Sequence, residues 1–268
     1  MAALVKTLPE FDYVYLGDHA RAPYGPRSKE EIYQCALEGV RALFRRGCEV
    51  IIFACNTAAA NALREIQQQI LPHEFPGKRV LGVLVPTVEQ ITGVAWKGVW
   101  TGGQSRECVG ILATEATVRS GAYTTEIHKR RPDIDVIEQA CPELAPLIES
   151  GASNEDMRRS AKGYIDQLFR ERAQKQPPLS AVLLGCTHYE LIAPIIAELL
   201  PNGVKLYEQS GIVAESFKRY LDRHSPLREQ LSCTRKRTFL TTGNATDISR
   251  MASKFYGEQI QFEHVTLA

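Results

Sequence analysis

Residues 51–63 read IIFACNTAAANAL. Apolar residues run to Ala54, Cys55, Asn56 and Thr57 follow, and an alanine-rich stretch begins. The pattern predicts a buried strand that stops at a cysteine where a helix starts. Residues 182–191, VLLGCTHYEL, repeat the plan with Cys186 and Thr187 at the junction. Strands of continuous Val, Ile and Leu, rather than alternating ones, are those of a parallel sheet covered on both faces. Alternation of such strands with helical periodicity along the chain predicts an α/β fold.

Working outward, strands are expected at Tyr13–Leu16, Val50–Ala54, Val80–Val85, Val109–Ala113, Asp135–Glu138, Ala181–Gly185, Val204–Glu208, Thr238–Thr241 and Gln259–Glu263. Helices are expected at Ser28–Arg46, Asn56–Ile70, Val88–Ile91, Thr117–His128, Asn154–Ala173, Tyr189–Leu199, Ile212–Arg223 and Asp247–Phe255. Ser28 with Glu31 three residues later is a capping box that starts the first of these. The polar, glycine-rich GVWTGGQSRE (98–107) reads as a surface loop. The chain opens on what reads as a helix end, closed by Pro9 before the first strand.

The 268 residues suffice for one large or two small α/β units. A net charge of +1 gives no global pull toward nucleic acid or an anionic membrane. No apolar run approaches the ~20 residues of a membrane span, and no signal peptide opens the chain. A cytoplasmic location is the expectation. The seven cysteines are odd in number and never at C-x-x-C spacing, which argues against a disulfide framework and a zinc site. Cys35, Cys48, Cys108, Cys141 and Cys233 read as structural thiols.

Cys55 and Cys186 differ from those five by context. Ligands of open α/β sheets bind beyond the carboxyl ends of strands, and the N–H groups of a helix start favour an anion there. Two facing thiols suit a redox pair, a soft metal, or two acid–base groups on opposite faces of one substrate. Redox dithiols usually lie close in sequence and zinc wants more ligands. The two-base reading uses both sites alike, one thiolate taking a proton while the opposite thiol returns one.

YLGDHARAPYG (15–25), ACNTAAANAL (54–63), LATEATVRSGAY (112–123), ACPELAPLIE (140–149) and LGCTHYELI (184–192) together resemble the ordered motifs of the glutamate racemases, within the cofactor-independent amino-acid racemases. EQSGIVAESFKRYL (208–221) is similar to a closing helix of one branch. The resemblance implies two Rossmann-like lobes with parallel sheets flanked by helices and an active site in the cleft. Their expected extents are 1–87 with 205–268, carrying Cys55, and 88–204, carrying Cys186. It implies Cys55 and Cys186 as the acid–base residues, acting on the D- and L-forms of glutamate, with His188 as a helper. Pro23, Tyr24, Gly25, Asn56, Thr57, Thr114, Thr117, Glu149 and Thr187 would line the substrate pocket. No cofactor or metal is expected, glutamate is the implied partner, and the family commonly dimerises. D-glutamate for peptidoglycan would be the product in use. Asp18 is expected to serve structure rather than chemistry.

Two departures qualify that expectation. His19 stands where the family has a small or uncharged residue. The family's opening strand with its Asp-Ser-Gly motif has no counterpart in the chain. Aspartate or broad amino-acid racemisation by the same thiols, and a catalytically impaired binding or regulatory homologue, remain alternatives. Loss of a central parallel strand would leave backbone groups unpaired. Low stability, a strand supplied by a partner chain, or weak activity is therefore expected. Circular dichroism melts and turnover compared with a chain extended upstream test this, and equal values in both would refute it.

Overall fold

A computed structural model describes residues 1–102, 107–172, 177–256 and 258–267. Part of the glycine-rich loop, residues 103–106, and the end of the expected helix at Ala173 lie outside the described residues. Nine strands are present among the described residues: β1 (Tyr13–Gly17), β2 (Val50–Phe53), β3 (Arg79–Gly82), β4 (Cys108–Ala113), β5 (Asp135–Ala140), β6 (Leu179–Gly185), β7 (Lys205–Tyr207), β8 (Arg237–Thr241) and β9 (Phe262–His264). They form a four-stranded sheet in the order β5-β4-β6-β7, a three-stranded sheet β1-β8-β9, and a pair β2-β3. Every pairing is parallel. The α/β expectation is met, with helices packed against parallel sheets.

The four-stranded sheet shows why continuous apolar strands imply two covered faces. Every residue of β4 is buried. Val109, Ile111 and Ala113 pack into one core with Tyr123 and Ile127. Cys108 and Leu112 turn to the other face, with Ile165, Leu168 and Tyr189. Alternate side chains point to opposite faces of a strand, so one sequence run feeds two cores. Gly110 sits in this alternation because the helix Asn154–Arg172 passes directly over it. A methyl group there would stand 2.5 Å from Leu168 Cδ2.

Several expected boundaries change for local reasons. The strand expected at Val80–Val85 stops at Gly82, because β2, its hydrogen-bonding partner, stops at Phe53. The chain turns at once into the helix Leu84–Thr92. The single helix expected at Asn56–Ile70 is broken into Asn56–Asn61, Leu63–Glu65 and a π-helical turn at Ile66–Ile70 before Leu71–Glu74. Pro72 cannot donate to the carbonyl four residues back and its ring crowds that carbonyl, which accounts for the irregular turn before it. The helix expected at Thr117–His128 is two, hinged at Gly121 with φ of +58°. The helix Leu144–Ser150 was hidden by the prolines of ACPELAPLIE.

The loops beyond β1, β2, β4 and β6 contribute to one cavity of about 1010 Å³. It continues along β1 and β2, which among the described residues pair with β8 and β3 but not with each other. Among the described residues no helix is long and apolar enough to cross a membrane.

Substituting Gly110 tests the two-sided packing. Gly110→Ala is expected to cost roughly 1–3 kcal/mol, because Leu168 is fully buried and has nowhere to retreat. Urea unfolding followed by circular dichroism measures it, and an unchanged midpoint would show that the helix moves freely over the sheet.

Candidate active site

Cys55 caps the amino end of the helix Asn56–Asn61 from the carboxyl end of β2. Its side chain is exposed to the cavity, inside a cleft that protein encloses. Burial pushes its pKa above the ordinary thiol value, and the Ala58 and Thr57 N–H groups and the Thr57 hydroxyl only partly offset this. Cys186 follows β6 and is buried, with 6% of its surface exposed. The two sulfurs lie close enough that a charge on Cys186 raises the pKa of Cys55 further.

His188 links Cys186 to Glu149. Its Nδ1 is 3.8 Å from Cys186 Sγ and its Nε2 is 2.8 Å from Glu149 Oε1. Burial alone would lower the pKa of His188, but the sulfur and the carboxylate outweigh it and raise it to about 10. The hydrogen bond from His188 is also the largest influence holding Glu149 below its ordinary value. At neutral pH the site therefore contains an imidazolium between a carboxylate and a sulfur. Glu149 stands near the end of the helix Leu144–Ser150, and that helix is what brings this carboxylate to His188.

Hydroxyls gather beside Cys55. Thr57 Oγ1 lies 2.8 Å from Thr114 Oγ1 and 3.3 Å from Thr117 Oγ1, and the latter two are 3.0 Å apart. Thr114 also caps its helix by accepting from the Thr117 N–H at 3.3 Å. The Pro23–Tyr24–Gly25 turn is tied to the same helix, its Gly25 carbonyl accepting from the Ala116 N–H at 3.1 Å. Tyr24 donates its hydroxyl to Asp18 Oδ2, which also accepts from Arg21 Nε at 2.7 Å. Thr242 Oγ1 donates to the other oxygen at 2.8 Å. Asp18 is a structural hub, as expected. Thr187 is exposed along the cavity wall.

Asn56 is placed differently from a free ligand group. Its side chain is 2% exposed, donating from Nδ2 to Gln209 Oε1 at 2.8 Å and accepting from the Tyr123 hydroxyl. Gln209 Nε2 donates in turn to Tyr123 at 2.6 Å and to Thr87 Oγ1 at 3.0 Å. The amide is thus spent on a buried network. Tyr123 and Gln209 both stand inside quoted motifs, and a polar group beside apolar helix positions was the available signal for them. Cys141, read as structural, also reaches the cavity wall. Burial raises its pKa and its thiol donates to the Gln139 carbonyl at 3.5 Å. Among the described residues no cluster of three or more His, Cys, Asp or Glu side chains could hold a metal.

A pair of strand-end thiols is thus framed by hydroxyls and an imidazolium. The sequence profile described as Asp/Glu/hydantoin racemase matches residues 1–215. The chain belongs to that racemase family. It is an isomerase with the two-lobed α/β fold of its structural relatives. The glutamate racemase of Phenylobacterium zucineum is 41% identical to this racemase, across 97% of this chain and 93% of that one. A glutamate racemase isoform from Bacillus anthracis superposes with a TM-score of 0.82 at 26% identity, covering 99% of this chain and 92% of that one. The Francisella tularensis glutamate racemase in complex with D-glutamate gives 0.80 at 27% identity, covering 100% and 91%.

The raised His188 pKa has a consequence for folding. A group whose pKa is higher when folded stabilises fully below its unfolded value, about 6.5, and that stabilisation is lost as pH rises through the folded value, about 10. Wild-type stability should therefore fall between pH 6.5 and 10 more steeply than that of Glu149→Gln, in which the carboxylate is gone. Urea midpoints across that range check it, and parallel curves would show that the pair does not carry the linkage.

Proposed function

We propose that this racemase interconverts L- and D-glutamate, with Cys55 and Cys186 as the two acid–base groups. The observation that carries the reading is the shared placement of both thiols on the wall of one cavity, each at a strand end, within charge-sensing range of each other. The sequence relatives and the D-glutamate complex of the Francisella protein support glutamate as the substrate.

In the proposed reaction a Cys186 thiolate removes the Cα hydrogen of L-glutamate, and the Cys55 thiol gives its proton to the opposite face of the carbanion. The product is D-glutamate, and the protonation states of the two sulfurs have exchanged. D-glutamate runs the same steps backward from a Cys55 thiolate. Burial keeps Cys55 protonated at rest, which suits a proton donor for the L-form. His188, charged and held by Glu149, places its positive ring beside the Cys186 sulfur. The weakly acidic Cα–H needs more than a base. Donors aimed at the substrate carboxylates must take up the charge that develops. Thr57, Thr114, Thr187, the Asn56 backbone and the Pro23–Tyr24–Gly25 turn are the proposed donors and pocket wall, while Thr117, fully buried and off the cavity lining, holds the Thr57 and Thr114 hydroxyls from behind.

The proposed lobes are 1–87 with 205–268, and 88–204. The strand Lys205–Tyr207 pairs with β6 of the second lobe, which favours a return crossing after Tyr207 rather than at 205. Supply of D-glutamate for peptidoglycan synthesis by a cytoplasmic, cofactor-independent homodimer completes the proposal. Aspartate is the competing substrate, differing by one methylene.

Solvent-deuterium exchange at Cα tests the assignment. Cys55→Ser should lose exchange of D-glutamate most severely and Cys186→Ser that of L-glutamate, each by at least about 100-fold, the usual scale for removing an acid–base group. Exchange left intact in both variants would sink the two-thiol chemistry, and faster exchange of aspartate than glutamate would change the substrate.

A further inference from the structure

Proton transfer between two thiols leaves one imidazole of the cavity without a task. His19 lies two residues beyond β1 and lines the same cavity as Cys55, Cys186 and Glu149. Its seat is built. The imidazole lies across Gly17, where a methyl group would stand 2.1 Å from His19 Cε1. On another side a methyl at Gly243 would come within 3.1 Å of His19 Cβ. The Phe262 ring meets it edge-on, with centroids 5.9 Å apart. His19 Nδ1 is 2.8 Å from Oγ1 of the fully buried Thr241.

That hydroxyl can serve the ring in either charge state. Thr241 Oγ1 already accepts the Gly243 N–H at 3.0 Å. Toward a neutral ring, its own O–H is a donor to Nδ1. Toward a charged ring, its second lone pair accepts from Nδ1–H. Protonation therefore needs only rotation of one hydroxyl, not movement of the imidazole.

A dicarboxylic substrate brings two anionic groups and one ammonium into this space, and the side-chain cations near the thiols are few. His188 is committed to Glu149 and Cys186. Arg21 is committed to Asp18 and Glu38. Arg46 and Lys236 also line the cavity, but at the amino ends of β2 and β8, away from the catalytic mouth. His19 remains. We propose that His19 is a substrate-binding residue that holds the distal carboxylate of the dicarboxylic substrate and becomes protonated as that substrate binds.

The surroundings of the ring fit this cycle. Burial, the largest influence, pushes the His19 pKa below its ordinary value, while Glu149, the Gly17 carbonyl and Asp18 act upward and His188 downward. From β8 and β9 the groups against the ring are Thr241 and Phe262. These surroundings favour a neutral ring near pH 7. A bound carboxylate favours the charged form and draws one proton from solvent onto the ring. The proposal rests on the dicarboxylate racemase reading above.

Four measurements test it. In His19→Asn, KM for both enantiomers of glutamate should rise about 10- to 100-fold, the scale of one lost charge-assisted hydrogen bond, with kcat changed less than about threefold. Calorimetric titration of glutamate at pH 7.5 in two buffers of different ionisation heat should show net proton uptake by the wild type and none by His19→Asn. Gly17→Ala, which displaces the ring but keeps it, should raise KM in the same direction. His19→Lys, permanently charged, should recover part of the affinity without proton uptake. Equal KM and equal proton uptake in wild type and His19→Asn would overturn the assignment, as would a fall in kcat at constant KM. A wild-type chain that exchanges neither enantiomer sinks the racemase reading itself, and the role of His19 with it.

Discussion

The arrangement of the site depends on one buried amide. Asn56 spends its side chain on Gln209 and Tyr123, and Gln209 passes the connection to Thr87. Four stretches of chain, otherwise distant in sequence, meet at this node. Each member is almost fully removed from water, with exposures of 0–2%. Breaking one link would leave buried polar partners unsatisfied, which costs more than the bond contributes when made. The node is therefore stiff, and Cys55 is covalently next to it. The position of the first thiol is inherited from a network that takes no part in proton transfer.

The second thiol is positioned by a different device. Cys186 ends a strand buried on both faces, and His188 is fixed at its far nitrogen by Glu149 from the helix Leu144–Ser150. One sulfur is thus located through neutral hydrogen bonds and the other beside an ion pair. The difference is chemical as well as geometric. The first sulfur meets backbone N–H groups and hydroxyls, while the second meets a positive charge. A reaction that must run in both directions is served by two unlike partners whose roles exchange with each turnover.

Much of this was legible in the residues. The strand ends at Ala54 and Gly185 put both cysteines at the carboxyl edge of parallel strands, and period and composition sufficed for that. The hydroxyls of Thr114 and Thr117 were visible as cap residues, and the structure adds that they also meet Thr57. What the sequence concealed were pairings between distant residues. Nothing local marks Gln209 as the partner of Asn56, because the partnership exists only once the helix Gln209–Asp222 packs beside the helix Leu84–Thr92. Ser150–Gly151 marked a helix end at Glu149, but the extent of that helix was not legible because Pro142 and Pro146 break the periodic pattern. The break at Pro72 shows the reverse case, where a proline was present in the sequence but its effect lay several residues upstream.

The unequal exposure of the two sulfurs has a bearing on how such an enzyme fails. Cys55 opens to the cavity while Cys186 is almost closed off. An electrophile or peroxide entering from solvent meets Cys55 first, and burial that keeps it protonated slows the encounter without preventing it. A chain with only that sulfur blocked still has Cys186 to lift a proton and set it back on the same face. Damage would then turn an enzyme that erases handedness into one that exchanges hydrogen and preserves it.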